Sequence, residues 1–124
     1  MKITTWTVIA TVLIALAVVA EAFGAHALKD LLLANQRTET YALAARYHFY
    51  HAFGILIISL IEFQKNKLTI LWTMLLGIVF FSGSLYVLSV SGQKWLGAIT
   101  PVGGFCFILA WLMTSLELFK KAKQ

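Results

Sequence analysis

The stretch Ala44-Ala45-Arg46-Tyr47-His48-Phe49-Tyr50-His51-Ala52-Phe53-Gly54 puts one arginine, two histidines and two tyrosines into the first turns of a long apolar run. A helix facing hydrocarbon does not tolerate this. A polar or charged side chain at membrane depth is costly unless it faces other helices or water. The stretch is therefore expected to face inward, with the other segments packed around it.

Composition sets the solvent for those segments. The chain has 124 residues, 60% of them hydrophobic and 12% charged, with mean hydropathy +0.85. Soluble domains carry about 25% charged residues. The apolar excess is more than one small core buries, so it calls for lipid. A bilayer core about 30 Å thick takes a helix of about 20 apolar residues. The expected fold class is all-α: a four-transmembrane-helix bundle forming one domain over residues 1–124, with spans near 4–24, 43–63, 68–90 and 96–119. No length remains for a separate soluble module. The net charge of +5 sits at span ends and at the C-terminus, which points to anionic membrane lipids and away from nucleic acid. Arg46, Lys65, Lys67, Lys120 and Lys121 are the expected headgroup contacts. The single cysteine, Cys106, allows no intrachain disulfide.

Span one begins near Trp6, an interfacial aromatic. Ala10, Ala17, Ala20 and Gly24 recur at helical spacing as a small-residue packing face, with Glu21 on it. Ala20-Glu21-Ala22 resembles a signal-peptide cleavage site, but one Lys before the run and the length of the run argue against cleavage. In residues 25–42, Leu28, Leu31 and Leu32 fall at i, i+3 and i+4, with Lys29 and Asp30 off that face. This pattern predicts a short amphipathic helix at the interface, ended by Asn35 and Gln36. Thr38 is the expected N-cap of the next helix.

On span two, His51 shares a face with Tyr47, His48, Ile55 and Ile58, continued by Glu62. Arg46 points away and snorkels to headgroups. Gln64-Lys65-Asn66-Lys67 reads as a tight basic turn. On span three, Thr73, Gly77, Ser84 and Ser91 share a face, and Ser82-Gly83-Ser84-Leu85-Tyr86 is a small, polar patch. Trp95 follows as a belt residue. Span four opens with Gly97-Ala98-Ile99-Thr100-Pro101-Val102-Gly103-Gly104, where Pro101 kinks the helix or sits in its first turn. Gly103, Ala110, Thr114 and Glu117 form its small and polar face.

Four spans put both termini on one side. That side holds Lys2, Lys65, Lys67, Lys120, Lys121 and Lys123, against Lys29, Arg37, Arg46 and Lys94 on the other, so the positive-inside rule places both termini in the cytoplasm. Glu21, His26, Tyr47, His48, His51, Ser82, Ser84, Tyr86, Thr100 and Pro101 then lie in or just beyond the outer half of the membrane. The inner half stays apolar until Glu62 and Glu117. The expectation is an outward-facing polar pocket above a dry plug.

Within that pocket Glu21 and His51 are the sharpest pair. A carboxylate and an imidazole in a low-dielectric cavity form either a proton or ligand relay or a polar clasp between helices. His26, His48 and His51 lack metal-site spacing, and Tyr and Arg neighbours serve the imidazoles equally well. No metal or cofactor is expected. The glycine-rich segment is no phosphate loop, having no Gly-Lys-Ser/Thr and no preceding strand. No catalytic triad or dyad is evident, so no enzyme activity is expected.

Four motifs in order carry a resemblance: Glu21-Ala22-Phe23-Gly24-Ala25-His26-Ala27-Leu28; Ala45-Arg46-Tyr47-His48-Phe49-Tyr50-His51-Ala52; Phe81-Ser82-Gly83-Ser84-Leu85-Tyr86; and Leu96-Gly97-Ala98-Ile99-Thr100-Pro101-Val102-Gly103-Gly104 followed by Trp111. The chain resembles the small multi-pass membrane family of unknown function that includes bacterial YwdK and YgdD. The resemblance implies an integral protein of the bacterial plasma membrane and carries no enzyme activity with it. His26, Tyr47, His51, Ser82, Tyr86, Thr100 and Pro101 match its motifs. The position of His48 is often Gln there, which implies a hydrogen-bonding role. Glu21 stands where the motif usually has a small residue. The expected function is binding of a lipid, a small amphipathic molecule or a partner helix, in a monomer or a homo-oligomer. The alternative is a small oligomeric proton- or ion-coupled transporter or channel.

Overall fold

The computed structural model describes residues 2–63 and 65–124, so Gln64, the first residue of the expected basic turn, lies outside the described residues. Among the described residues the regular structure is entirely helical. Helix α1 spans Thr5–Ala25, and the Thr4 N–H donates to Thr7 Oγ1 at 3.1 Å to close its first turn. Helix α2 is the six-residue Lys29–Ala34. It ends where Gln36 takes a positive φ of 55°. Helix α3 is Thr38–Leu60. Helix α4 is Lys67–Ser91, wound as a π-helix over Ile78–Gly83. A 3₁₀ turn, Lys94–Ala98, leads into α5, Thr100–Ala122.

Three helical stretches are long and apolar enough to cross a membrane: Thr5–Ala25, Lys67–Ser91 and Lys94–Ala122. Helix α3 is 23 residues long against 21 for α1, but carries Arg46, His48 and His51 within its length. It packs against α1 on one side and α4 on the other. Its buried positions accordingly run over a wide arc, from Tyr41, Ala44 and Ala45 through His48, His51 and Ala52 to Ile58 and Ser59. Thus His48 and His51 do face inward, whereas Arg46, Tyr47 and Tyr50 are exposed.

The helices alternate in direction. At one end the start of α1 meets the end of α3 through Thr7 Oγ1 and Ser59 Oγ, 3.1 Å apart. There Asn66 Nδ2, before α4, donates to Glu117 Oε1 at 3.0 Å. At the other end Asn35 Nδ2 donates to the Ser89 carbonyl at 3.0 Å and ties α2 to the last turn of α4. The apolar core lies toward the end that holds both termini, built from Ala10, Ile55, Ile58, Ile70, Leu71, Met74 and Phe107. Burying such side chains from water stabilises a soluble core; between helices in lipid the gain comes from close packing instead.

Gly103 shows how close that packing is. A Cβ built on it falls 2.7 Å from Phe81 Cα, so the backbones of α5 and the π stretch of α4 touch. The small and polar face expected on α5 is present: Gly103, Ala110, Thr114 and Glu117 are all buried. Pro101 occupies the first turn, where its missing N–H leaves no carbonyl unsatisfied.

Several expectations need correction. Helix α3 begins at Thr38 itself, so Arg37 and not Thr38 is its cap residue, with no side-chain capping bond. It ends at Leu60, so Glu62 lies beyond the helix and does not continue the His51 face. On α1, Ala10 and Ala17 are buried but Glu21 is exposed. On α2 only Leu32 is buried; Leu31 is 40% exposed. Ser91 is exposed at the last residue of α4, although Ser84 seven residues earlier is buried.

Candidate functional site

The polar residues expected in one pocket are distributed among separate places. Three surface clefts divide them. A cleft of about 740 Å³ between α1 and α3 is lined by Glu21, Glu39 and Arg46 with Ala17, Ala22, Ala25, Ala42 and Ala45. A second, of about 530 Å³ between α3 and α5, is lined by Tyr47 and His51. A third, of about 390 Å³ between α1 and α4, is lined by Tyr41 and Tyr86. His48, Ser82, Ser84 and Thr100 line none of the three. His26 and Pro101 are exposed beyond or at helix ends.

The Glu21–His51 pair does not form. His51 turns to α5, where its imidazole stacks on Phe107 with centroids 3.4 Å apart and planes 14° apart. Its Nδ1 lies 2.7 Å from the Tyr47 carbonyl. Glu21 lies on the margin of the α1–α3 cleft with Arg46 instead. Periodicity places both residues at similar depth; it does not place them on facing sides.

Two other couples do form at the end distal to the termini. His48 Nδ1 lies 3.1 Å from the Tyr86 hydroxyl, and Ser84 Oγ lies 2.7 Å from Thr100 Oγ1. Tyr41 extends the first couple into α1. Its hydroxyl donates to the Ala20 carbonyl at 2.6 Å, its ring lies over Gly24, and it meets the Tyr86 ring edge-on at 5.1 Å. The sequence reading missed Tyr41. The available signal was a tyrosine one turn before Ala44 and Ala45, aligned with the small residues that end α1. His48 Nε2 and Ser82 Oγ are buried without a hydrogen-bond partner in this region. These couples clasp helices together, each interhelical bond contributing about 0.6–2 kcal/mol in a membrane setting.

The basic residues expected at headgroups also differ in their surroundings. Lys65 is exposed. Lys67 Nζ donates to the Ser59 and Ile61 carbonyls at 2.6 and 2.7 Å, capping the end of α3. Lys120 pairs with buried Glu117 at 2.8 Å, and Lys121 Nζ donates to the Glu62 carbonyl at 2.9 Å. Lys120 and Lys121 line a cleft of about 280 Å³ with Glu62 and Glu117, whereas Arg46 lies in the larger α1–α3 cleft beside Glu21 and Glu39 with no ion pair to either among the described residues. Among the described residues no three His, Cys, Asp or Glu side chains gather as metal ligands would.

The unpaired charges over an alanine-lined trough make the α1–α3 cleft the candidate site. Glu39 is in the first turn of α3 and Arg46 lies seven residues further along, about 10 Å at a helical rise of 1.5 Å. Phe49, Tyr50, Ala17 and Val18 line the apolar remainder.

Comparison with known proteins supports a membrane location. Residues 20–104 match the family described as "Protein of unknown function (DUF423)". That match opens at the first motif and closes at the fourth. The chain is 43% identical over 101 residues to the UPF0382 membrane protein SH2409 of Staphylococcus haemolyticus, covering 80% of this chain and 82% of that one. It is 39% identical over 109 residues to the UPF0382 membrane protein YwdK of Bacillus subtilis, covering 85% and 88%. It is 33% identical over 103 residues to a UPF0382 membrane protein of Haemophilus influenzae, covering 80% and 81%. No solved structure matches the chain. With its motifs, its apolar helices and these relatives in agreement, the chain belongs to the DUF423 family of membrane proteins.

Proposed function

We propose that the chain is a four-span protein of the bacterial inner membrane, with both termini cytoplasmic, and that the α1–α3 cleft holds an amine-bearing zwitterionic phospholipid. Helix α3 is the fourth span in this reading. His48 and His51 are buried against α4 and α5, and Arg46 and Tyr50 line the α1–α3 cleft, which makes the helix tolerable in a bilayer.

The observation that carries the lipid reading is the order of groups along the cleft. Glu39 is outermost, Glu21 lies one turn in from the end of α1, Arg46 is deeper, and alanines with Phe49 and Tyr50 line the trough. A phosphatidylethanolamine presents the same order from outside inward: ammonium, phosphate, acyl chains. The carboxylates suit the ammonium and the guanidinium suits the phosphate bidentately. None of the three charges is spent on another within the chain among the described residues.

The test is native mass spectrometry of the detergent-solubilised protein offered equal phosphatidylethanolamine, phosphatidylglycerol and phosphatidylcholine. Phosphatidylethanolamine adducts are expected to dominate. Arg46→Gln is expected to reduce adducts of all three, and Glu21→Gln with Glu39→Gln to remove the preference for the amine. Equal retention of phosphatidylglycerol by the unaltered protein, or adducts unchanged in Arg46→Gln, refutes the reading.

A further inference from the structure

The groove between α3 and α5 is separate from the lipid cleft and differs in chemistry. Tyr47, His51, Phe81, Phe107 and Trp111 line it around about 530 Å³. The rings are ordered: Tyr47 stacks on Phe81 with centroids 4.6 Å apart, and His51 stacks on Phe107 at 3.4 Å. This is an aromatic wall with one imidazole set into it.

The hydrogen bonding of that imidazole fixes its tautomer. His51 Nδ1 faces the Tyr47 carbonyl at 2.7 Å. A carbonyl only accepts, so in the neutral ring Nδ1 carries the proton and Nε2 keeps its lone pair. Nε2 has no partner. Unlike Nε2 of His48 it is not sealed inside the protein, although His51 as a whole is only 7% exposed. The groove therefore offers flat rings and a single acceptor that no donor meets. Hydrocarbon supplies no donor, and leaving the acceptor unmet in an apolar setting is costly.

We propose that this groove binds a membrane-soluble phenol or quinol, its ring packed on the aromatic wall and its hydroxyl donating to His51 Nε2. The corresponding quinone carries carbonyls, which accept and do not donate, so the site discriminates between the two forms. An acyl chain fills space but leaves Nε2 unmet. The inference is independent of the phospholipid reading, since the two clefts share no residue.

The experiment titrates the protein, in nanodiscs, with a short-chain benzoquinol, its quinone and the dimethyl ether of the same quinol. Quenching of tryptophan emission follows binding, because Trp111 lines the groove. The quinol is expected to bind about fivefold tighter than the dimethyl ether, the worth of one net hydrogen bond. His51→Phe keeps a ring and removes the acceptor, and should equalise the two. Gly104→Leu fills the groove and should abolish saturable quenching by all three. Its backbone accepts a side chain, since a Cβ there meets nothing nearer than Phe81 Cδ2 at 3.7 Å. Equal affinity of the unaltered protein for quinol and ether, a preference that survives His51→Phe, or saturable quenching that survives Gly104→Leu overturns the proposal. Should His51→Phe not fold, the quinol-to-ether ratio and Gly104→Leu decide it.

Discussion

Replacing Gly103 by Ala tests how α5 is seated on α4. The added Cβ lands 2.7 Å from Phe81 Cα and Cβ, where ordinary contact begins at 3.4 Å. The obstacle is main chain, so no side-chain rotation relieves it. Phe81 N is nearer still, so the two helices must part by more than about 0.7 Å, the shortfall at Phe81 Cα from an ordinary contact distance. Overpacking of that kind costs about 1–3 kcal/mol. One turn of α5 away, the Ser84–Thr100 bond of 2.7 Å lies across the same seam. Stretching it by a similar amount removes up to about 1 kcal/mol more. The expected total is about 1–4 kcal/mol. The assay is reversible unfolding in mixed micelles of rising dodecyl sulfate fraction, followed by far-ultraviolet circular dichroism. Gly104→Ala is the internal control. The same atom added one residue later meets nothing nearer than 3.7 Å and should cost under about 0.5 kcal/mol. Equal stability of the two variants refutes the claim that backbone contact at Gly103 sets the α4–α5 distance.

In the same assay Tyr86→Phe should cost about 1–2 kcal/mol, because it leaves His48 Nδ1 buried without its partner at 3.1 Å. Combining it with His48→Leu, which removes the orphaned group, should cost less than the sum of the two single changes; strict additivity refutes the coupling. Lys67→Met should cost about 1–3 kcal/mol, because it strips the ammonium from the Ser59 and Ile61 carbonyls at the end of α3. Amide exchange should quicken in the last turn of α3 and stay unchanged near Tyr41, and uniform quickening counts against a local cap.

What could be read from the sequence follows from what periodicity encodes. A long apolar helix was expected near 68–90 and α4 runs Lys67–Ser91, because its edges are marked by a basic turn and by Ser91-Gly92. The buried face of α5 was legible because Gly103, Ala110, Thr114 and Glu117 repeat at helical spacing and are small or polar in an apolar run. The Glu21–His51 pairing failed for a physical reason. Distance along a span gives depth, while the direction a residue faces depends on which neighbour its helix packs against. Helix α3 has neighbours on more than one side, so inward did not mean toward α1. His48 faces Tyr86, and His51, three residues later, faces Phe107. The π stretch was illegible for another reason. Ile78-Val79-Phe80-Phe81-Ser82-Gly83 has no proline, and its one glycine sits at its end. Gly103 of another helix packs against Phe81 in the middle of it.

That widened coil has a consequence for how the protein tolerates change. A π segment holds one more residue than the α-helix it interrupts, which displaces everything beyond it by about 100° around the axis. The half of α4 before Gly77 and the half after Ser84 are thus phased independently. Deleting one residue between 78 and 83 would restore uniform winding while keeping Ser84 against Thr100 and Tyr86 against His48, with Ile70, Leu71 and Met74 seated as before. The molecule is in effect two stacked halves joined by an adjustable collar, and the loss of one residue within that collar should be absorbed, where the same loss elsewhere in α4 would swing one storey out of register with the other.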